Sequence, residues 1–318
     1  MASVVAARWP VSGLPILRPY QEEPARAIID SVRRNRGLTF TVVMARQAGK
    51  NELSAQLELF LLLASAYHDA DAVKCAPTFD PQAKISIRRL RARMADAGLS
   101  DAAVREGDHI IAIGRARQIF LSAEPGANVV GHTANLLLEV DEAQEVESEK
   151  FDREFRPMAA TTNATTVYYG TPWDDSTLLE QAVQANIEMA RHDGIRRHFH
   201  YDWMVVAEYN AAYALFVEGE RRRLGETHPL FLTQYALKVV SGGGRLFTPT
   251  QRAQLQGSHF RQHQPKPGET YVAGLDLAGQ NWERPGDFQP KGRETTLQFL
   301  LSPAQSFRPQ RPFCKSRS

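Results

Sequence analysis

Apolar positions along this chain switch between a helical and a strand period. In residues 17–37, Ala25, Ile28, Ile29 and Val32 recur at helical spacing, and Gly37 supplies a stop. The next stretch, LTFTVVM, is rich in β-branched residues and short enough for a buried strand. A loop, ARQAGKN, follows, and Leu53, Leu57, Phe60, Leu61 and Ala64 then mark an amphipathic helix. AVKCAP predicts a short strand closed by Pro77, and Ala83, Ile87, Leu90 and Met94 line one face of another helix. Short strands are expected at 110–113 and 118–122, a buried strand in ANLLLEVDEAQEV, and another in TTVYYGTPW. Strands alternating with helices at this spacing predict an α/β fold with a parallel sheet covered on both faces.

Beyond about Asp174 the pattern becomes mostly helical. SGGGRLFTP (241–249) and QHQPKPGET (262–270) look like a loop and an interdomain linker, and YVAGLDLAGQ begins a fresh strand at Tyr271. The segment from Ser302 onward is rich in Pro, Ser, Arg and Gln without a period, and disorder is expected there. No repeat of fixed period is visible.

Composition narrows the class. The 318 residues suggest about two domains of roughly 150 residues. A chain that is 43% hydrophobic and 23% charged, with net charge +2, is neither wholly disordered, collagen-like nor a disulfide scaffold. Cys75 and Cys314 are far apart and suggest neither a bridge nor a metal site. The longest apolar run, 59–66, is too short for a bilayer, and MASVVAARWP lacks the pattern of a signal peptide. A soluble, cytoplasmic protein without a membrane partner is expected.

Candidate chemistry lies where strands end. A nucleoside-triphosphate loop presents backbone N–H groups to phosphates at a helix N-terminus, with a lysine to neutralise charge. Gly49 and Lys50 occupy the end of such a motif between a predicted strand and helix, although Met44 stands where its first glycine belongs and Asn51 where Ser or Thr usually holds magnesium. Arg46, inside the loop, can reach a γ-phosphate; its alternative is a solvated loop residue. Hydrolysis also needs a carboxylate near magnesium and a group to activate water, and the apolar strand ending in Asp141 and Glu142 offers both. An acidic helix start is the competing explanation. Glu139 interrupts that strand and is expected to face outward near an edge or to pair with a cation. Both motifs, in order and on suitable elements, indicate a P-loop ATPase using ATP and Mg2+.

The ordered set LRPYQ, MARQAGKNELSAQ, KCAPTFDPQA, GANVVGHTANLLLEVDEAQEV, VYYGTPW and YVAGLDLAGQ resembles the large terminase subunit of tailed bacteriophages, the motor that packages DNA into a procapsid. The resemblance implies a RecA-like ATPase core of the additional-strand catalytic glutamate (ASCE) class over 1–174 and a helical lid and linker over 175–265. The start of an RNase H-like nuclease would occupy 271–300, before a disordered tail at 301–318. It implies that Gln21 contacts adenine and that Gln47, Ala48, Gly49, Lys50 and Asn51 hold the nucleotide. Arg46 and Lys50 would act on the phosphates, Asp141 and Asn51 on magnesium, and Glu142 on the attacking water. Gly170, Thr171 and Pro172 would couple hydrolysis to movement. Asp276 matches the first metal-binding acid of the nuclease, but a two-metal site needs several carboxylates to hold ions about 4 Å apart. Glu283, Asp287 and Glu294 do not match the family's later motifs, so the chain is expected to be truncated by a frameshift and to lack nuclease activity.

The implied partners are double-stranded DNA, a portal protein, a small terminase subunit and further copies in a ring, in the cytoplasm of an infected or lysogenic host. DNA would be gripped through phosphates, with Arg88–Arg93 or Arg221–Arg223 as candidate clusters. The alternatives are a superfamily 2 helicase-like translocase, which needs a second RecA-like domain, and a non-catalytic remnant of a decayed prophage gene.

Overall fold

The computed structural model describes residues 8–240 apart from 128 and 130, and helices and strands alternate in it from α1 to α3. Helix α1 (Pro19–Arg33) leads to strand β1 (Thr39–Met44), and helix α2 (Lys50–Ser65) to β2 (Ala70–Ala76). Helix α3 (Lys84–Asp96) is followed by β3 (Ala103–Glu106), β4 (Ile110–Ile113) and β5 (Ala116–Ser122). Then come β6 (Leu137–Val140), the short helix α4 (Ser148–Lys150), β7 (Thr165–Gly170) and helix α5 (Leu178–Asp193). The last described elements are β8 (His198–Tyr201), α6 (Trp203–Glu208), α7 (Ala211–Leu224) and α8 (Pro229–Gln234). The loop at 241–249, the linker at 262–270, the strand from Tyr271, Asp276, the expected nuclease start at 271–300, the tail and Cys314 lie outside the described residues.

One sheet holds all eight strands in the order β3-β4-β5-β2-β6-β7-β1-β8. The six strands from β5 to β8 pair in parallel, with Val43 of β1 opposite Gly170 of β7 and Val140 of β6 opposite Tyr168. Strands β3 and β4 extend this sheet antiparallel, as their short connections require. Strand β7 lies between β1, which leads into the loop before α2, and β6, which ends one residue before Asp141.

Alternation along each strand divides the core. Phe40, Val42 and Met44 of β1 pack with Val167 and Tyr169 of β7 against α1 and α2, whereas Val43 and Tyr168 join Leu178 and Val183 of α5 on the other side. Two strands were not legible in the pattern. The segment after Asp174, expected to be mostly helical, supplies β8, which pairs with β1. Strand β3 also went unforeseen.

Glu139 does not face outward at an edge: β6 is interior, and the side chain is fully buried on the α2 side. There Ser54 Oγ donates to Glu139 Oε1 at 2.9 Å, and Lys74 Nζ donates to Ser54 Oγ at 2.5 Å and to Glu58 Oε1 at 2.9 Å. Lys74 pairs directly with Glu58, and Ser54 bridges it to Glu139, so Glu139 belongs to a buried set of one lysine and two glutamates. Burial pushes the Glu139 carboxyl well above its usual range, Lys74 offsets part of that, and Glu58 adds to it. Burial works against the Lys74 ammonium, but Glu58, Glu139 and Asp141 outweigh it and hold its pKa above the usual value.

Candidate active site

The loop from β1 to α2 is shaped by backbone rather than by side-chain bulk. Gln47 and Gly49 both take positive φ, +65° and +92°, and Gly49 precedes the first residue of α2, Lys50. A side chain at Gly49 would be strained by that φ, and its Cβ would lie 2.4 Å from Gln21 Nε2. This turn leaves the first N–H groups of α2 at the mouth of the loop, where the helix dipole favours an anion. The 16-residue helix behind it has Leu53, Leu57 and Phe60 buried, so the helix start is anchored in the core.

Neighbouring elements brace the loop. Gln21 Nε2 donates to Gly49 O at 3.1 Å and to Ala48 O at 3.4 Å, while its Oε1 accepts from Arg18 N–H at 3.0 Å. Tyr20 Oη donates to Ala48 O at 3.0 Å. From the other flank, Tyr213 Oη of α7 donates to Arg46 O at 2.8 Å, and Arg46 N–H donates to Gln234 O of α8 at 2.8 Å. The Arg46 side chain stays exposed, as does Gln47, and Ala48 is buried. Met44, at the position of the absent first glycine, is fully buried as the last residue of β1.

The second half of the site is the turn after β6. Asp141 is buried; its Oδ2 accepts from Ser86 Oγ of α3 at 3.1 Å and its Oδ1 from Glu142 N–H at 3.2 Å. Glu142 takes φ +44°, a left-handed conformation that non-glycine residues adopt at a cost of about 1–3 kcal/mol. The turn brings Glu142 Oε1 to 3.6 Å from Lys50 Nζ, joining the two motifs across the sheet. Magnesium that travels with a nucleotide takes most of its ligands from phosphate and water. Asp141 suits such an ion: each oxygen already accepts one protein hydrogen bond and keeps a lone pair for an ordered water. Asn51 sits half-buried in the first turn of α2. Among the described residues, no group of three or more His, Cys, Asp or Glu side chains is gathered as a metal cage.

The strand end at 170–172 adjoins both motifs. Gly170 closes β7, Thr171 is buried, and Thr171 N–H donates to Gln144 Oε1 at 3.3 Å. Gln144 Nε2 in turn donates to Glu142 Oε2 at 2.8 Å. Sequence reasoning missed Gln144 and Ser86. No periodicity marks either; each becomes visible only when α3, β6 and β7 stand side by side.

A parallel sheet with a strand inserted between the two strand ends, a glycine loop opening a helix, and an Asp-Glu pair beside its lysine together define a RecA-like P-loop fold. Solved structures of like fold include large terminases of two bacteriophages. The HK97 bacteriophage large terminase superposes with a TM-score of 0.58 at 16% identity, covering 74% of this chain and 53% of that one. The large terminase of a thermophilic bacteriophage, in complex with ADP, gives 0.53 at 10% identity over 70% and 54% of the two chains. A second crystal form of that terminase gives 0.53 at 12% identity over 71% and 54%. At these identities the likeness is one of fold, and the chain spans about half the length of the terminases it matches. No protein-family model and no curated protein matches the sequence.

Proposed function

We propose that this chain is the ATPase of a phage DNA-packaging motor, a large terminase subunit that couples ATP hydrolysis to translocation of double-stranded DNA. The observation that carries the reading is Lys50 Nζ at 3.6 Å from Glu142 Oε1, with Asp141 buried beside them at the carboxyl ends of β1 and β6. The thermophilic phage terminase of like fold was solved with ADP, which supports a nucleotide here.

In this reading the N–H groups of residues 47 and 49–51 and the Lys50 ammonium bind the β- and γ-phosphates, Ala48 N–H being already given to Ala45 O at 3.0 Å, and the exposed Arg46 reaches the γ-phosphate. Gln21 contacts adenine from a side chain that already braces the loop. Asp141, with Asn51, holds magnesium, which when bound neutralises phosphate charge. Glu142 orients the attacking water and takes its proton as the oxygen bonds to the γ-phosphorus and the bond to the ADP leaving group breaks. Gly170, Thr171 and Pro172 convey the event to the rest of the motor. DNA, a portal ring, a small subunit and further copies of this chain are the partners proposed, in the host cytoplasm. The helicase reading needs a second RecA-like sheet, and the described residues form one.

The test is magnesium-dependent ATP hydrolysis by the purified chain beside Lys50→Ala and Glu142→Gln. Turnover is expected to fall at least about 100-fold in Glu142→Gln, the scale of a general base, and comparably in Lys50→Ala. Parent-like turnover in Glu142→Gln would overturn the assignment. If the parent is silent alone, portal and DNA are added; continued silence favours the inert remnant.

A further inference from the structure

Among the described residues, Gln144 is the side chain that touches both the proposed base and the strand end beyond it. Its Nε2 donates to Glu142 Oε2 at 2.8 Å and its Oε1 accepts from Thr171 N–H at 3.3 Å. The other Glu142 oxygen faces Lys50. Space around the amide is tight: a Cβ on Gly170 would lie 2.2 Å from Gln144 Oε1 and 2.7 Å from Leu179 Cδ2. The backbone of the same turn is tied down too, because Ala143 N–H donates to Tyr169 O at 2.8 Å and Glu145 N–H to Glu142 O at 2.8 Å.

We propose that Gln144 is the positioning residue for Glu142 and the physical link from the Glu142 carboxylate to the 170–172 turn. The proposal rests on Glu142 being the base. An amide supplies both bonds, donating to a carboxylate from one end and accepting from a backbone N–H at the other, whereas an ionised carboxylate offers only acceptors and an alkyl side chain offers neither. Because one amide holds both partners, any displacement of the Glu142 carboxylate is passed to Gln144 and through it to the end of β7. Gly170 is small because this amide passes against it.

Two variants separate the arms. Gln144→Glu keeps size and the acceptor for Thr171 but replaces the donor facing Glu142 with a second carboxylate; Gln144→Ala removes both bonds. The measurements are amide hydrogen exchange of the peptide containing Thr171, affinity for Mg2+–ATPγS by titration, and turnover against pH, all in the full chain, with portal and DNA added if turnover needs them. In Gln144→Ala, exchange at Thr171 should quicken by about 10-fold or more, as for a buried hydrogen bond opened locally. Gln144→Glu should keep Thr171 protected and analogue affinity within about threefold, yet lose about tenfold in turnover at pH 7.5. Turnover of Gln144→Glu should stay below the parent's across the pH range while analogue affinity is kept, a split between turnover and binding that a merely structural defect would not give. Thr171 exchange unchanged in Gln144→Ala, or parent-like turnover of Gln144→Glu across the pH range, would overturn the link. Failure of the parent to bind the analogue would instead sink the ATPase reading, and the Thr171 comparison would still decide the contact.

Discussion

Lys74, Glu58 and Glu139 set three ionisable groups in the core between α2 and the sheet, with Ser54 Oγ bridging Lys74 and Glu139 and the Tyr169 ring 5.9 Å from the ammonium. A buried carboxylate pair with one cation is tolerable if one carboxyl keeps its proton, and burial drives Glu139 to do so. Removing the cation is therefore far worse than neutralising the acid. Lys74→Met should cost about 3–5 kcal/mol, the scale of an uncompensated buried charge, whereas Glu139→Gln should cost less than about 1 kcal/mol; urea unfolding measures both. The two histidines of β8 make a second residue-scale prediction. His198 is pushed down to about 4, first by burial, then by His200 and Arg196. As pH falls below the usual value of 6.5, the unfolded chain takes up a proton that the folded protein refuses until about pH 4. Stability should thus decline across that window, and His198→Asn should flatten the decline in thermal melts. Glu139 was only half legible from sequence. Its place in an apolar strand was plain, but the partners arrive from α2 and β2.

At the scale of elements, strand, loop and helix form one unit, and Gly49 is its hinge point. Gly49→Ala should destabilise the fold by about 1–3 kcal/mol, because the positive φ and the clash with Gln21 act together. Adding Gln21→Ala removes the clash and leaves the φ strain, so the double variant should lose less than the sum of the singles. Denaturant melts of the four proteins give the coupling, and strict additivity would show that Gln21 does not press on the loop. Helices α7 and α8 brace the loop from the other flank through Tyr213 and Gln234. Nothing in their sequence announces this. Strand β8 was hidden for a related reason: HFHY has four residues and two histidines, and only pairing beside β1 buries Phe199 and Tyr201.

Charge decides most at the scale of the whole molecule. A net charge of +2 gives no general attraction to DNA, so any grip must be local. Of the two clusters suggested by sequence, Arg221–Arg223 is largely neutralised within α7, where Arg221 and Arg222 pair with Glu218 and Arg223 with Glu220. On α3, Arg89 and Arg93 are engaged by Glu52, while Arg88 is exposed and carries no ion pair among the described residues. If the chain binds duplex DNA through phosphates, Arg88→Ala should lower affinity and reduce the salt slope by about 1. Arg223→Ala should change neither, and fluorescence anisotropy over a salt series separates the two.

Local order along the chain was enough to mark the P-loop class: the switch from period 2 to 3.6, the Gly-Lys at a helix start and the Asp-Glu after a strand each depend on a few adjacent residues. Those signals place Lys50 at a helix start and Asp141 and Glu142 at a strand end. Only the tertiary structure decided that β7 enters between β1 and β6, that Lys50 meets Glu142, that Glu139 is buried with Lys74, and that Gln144 spans from Glu142 to Thr171. Each of those facts depends on which strands become neighbours. Neighbourhood is set by packing and pairing between segments far apart in the chain, and no periodicity within a single segment encodes it.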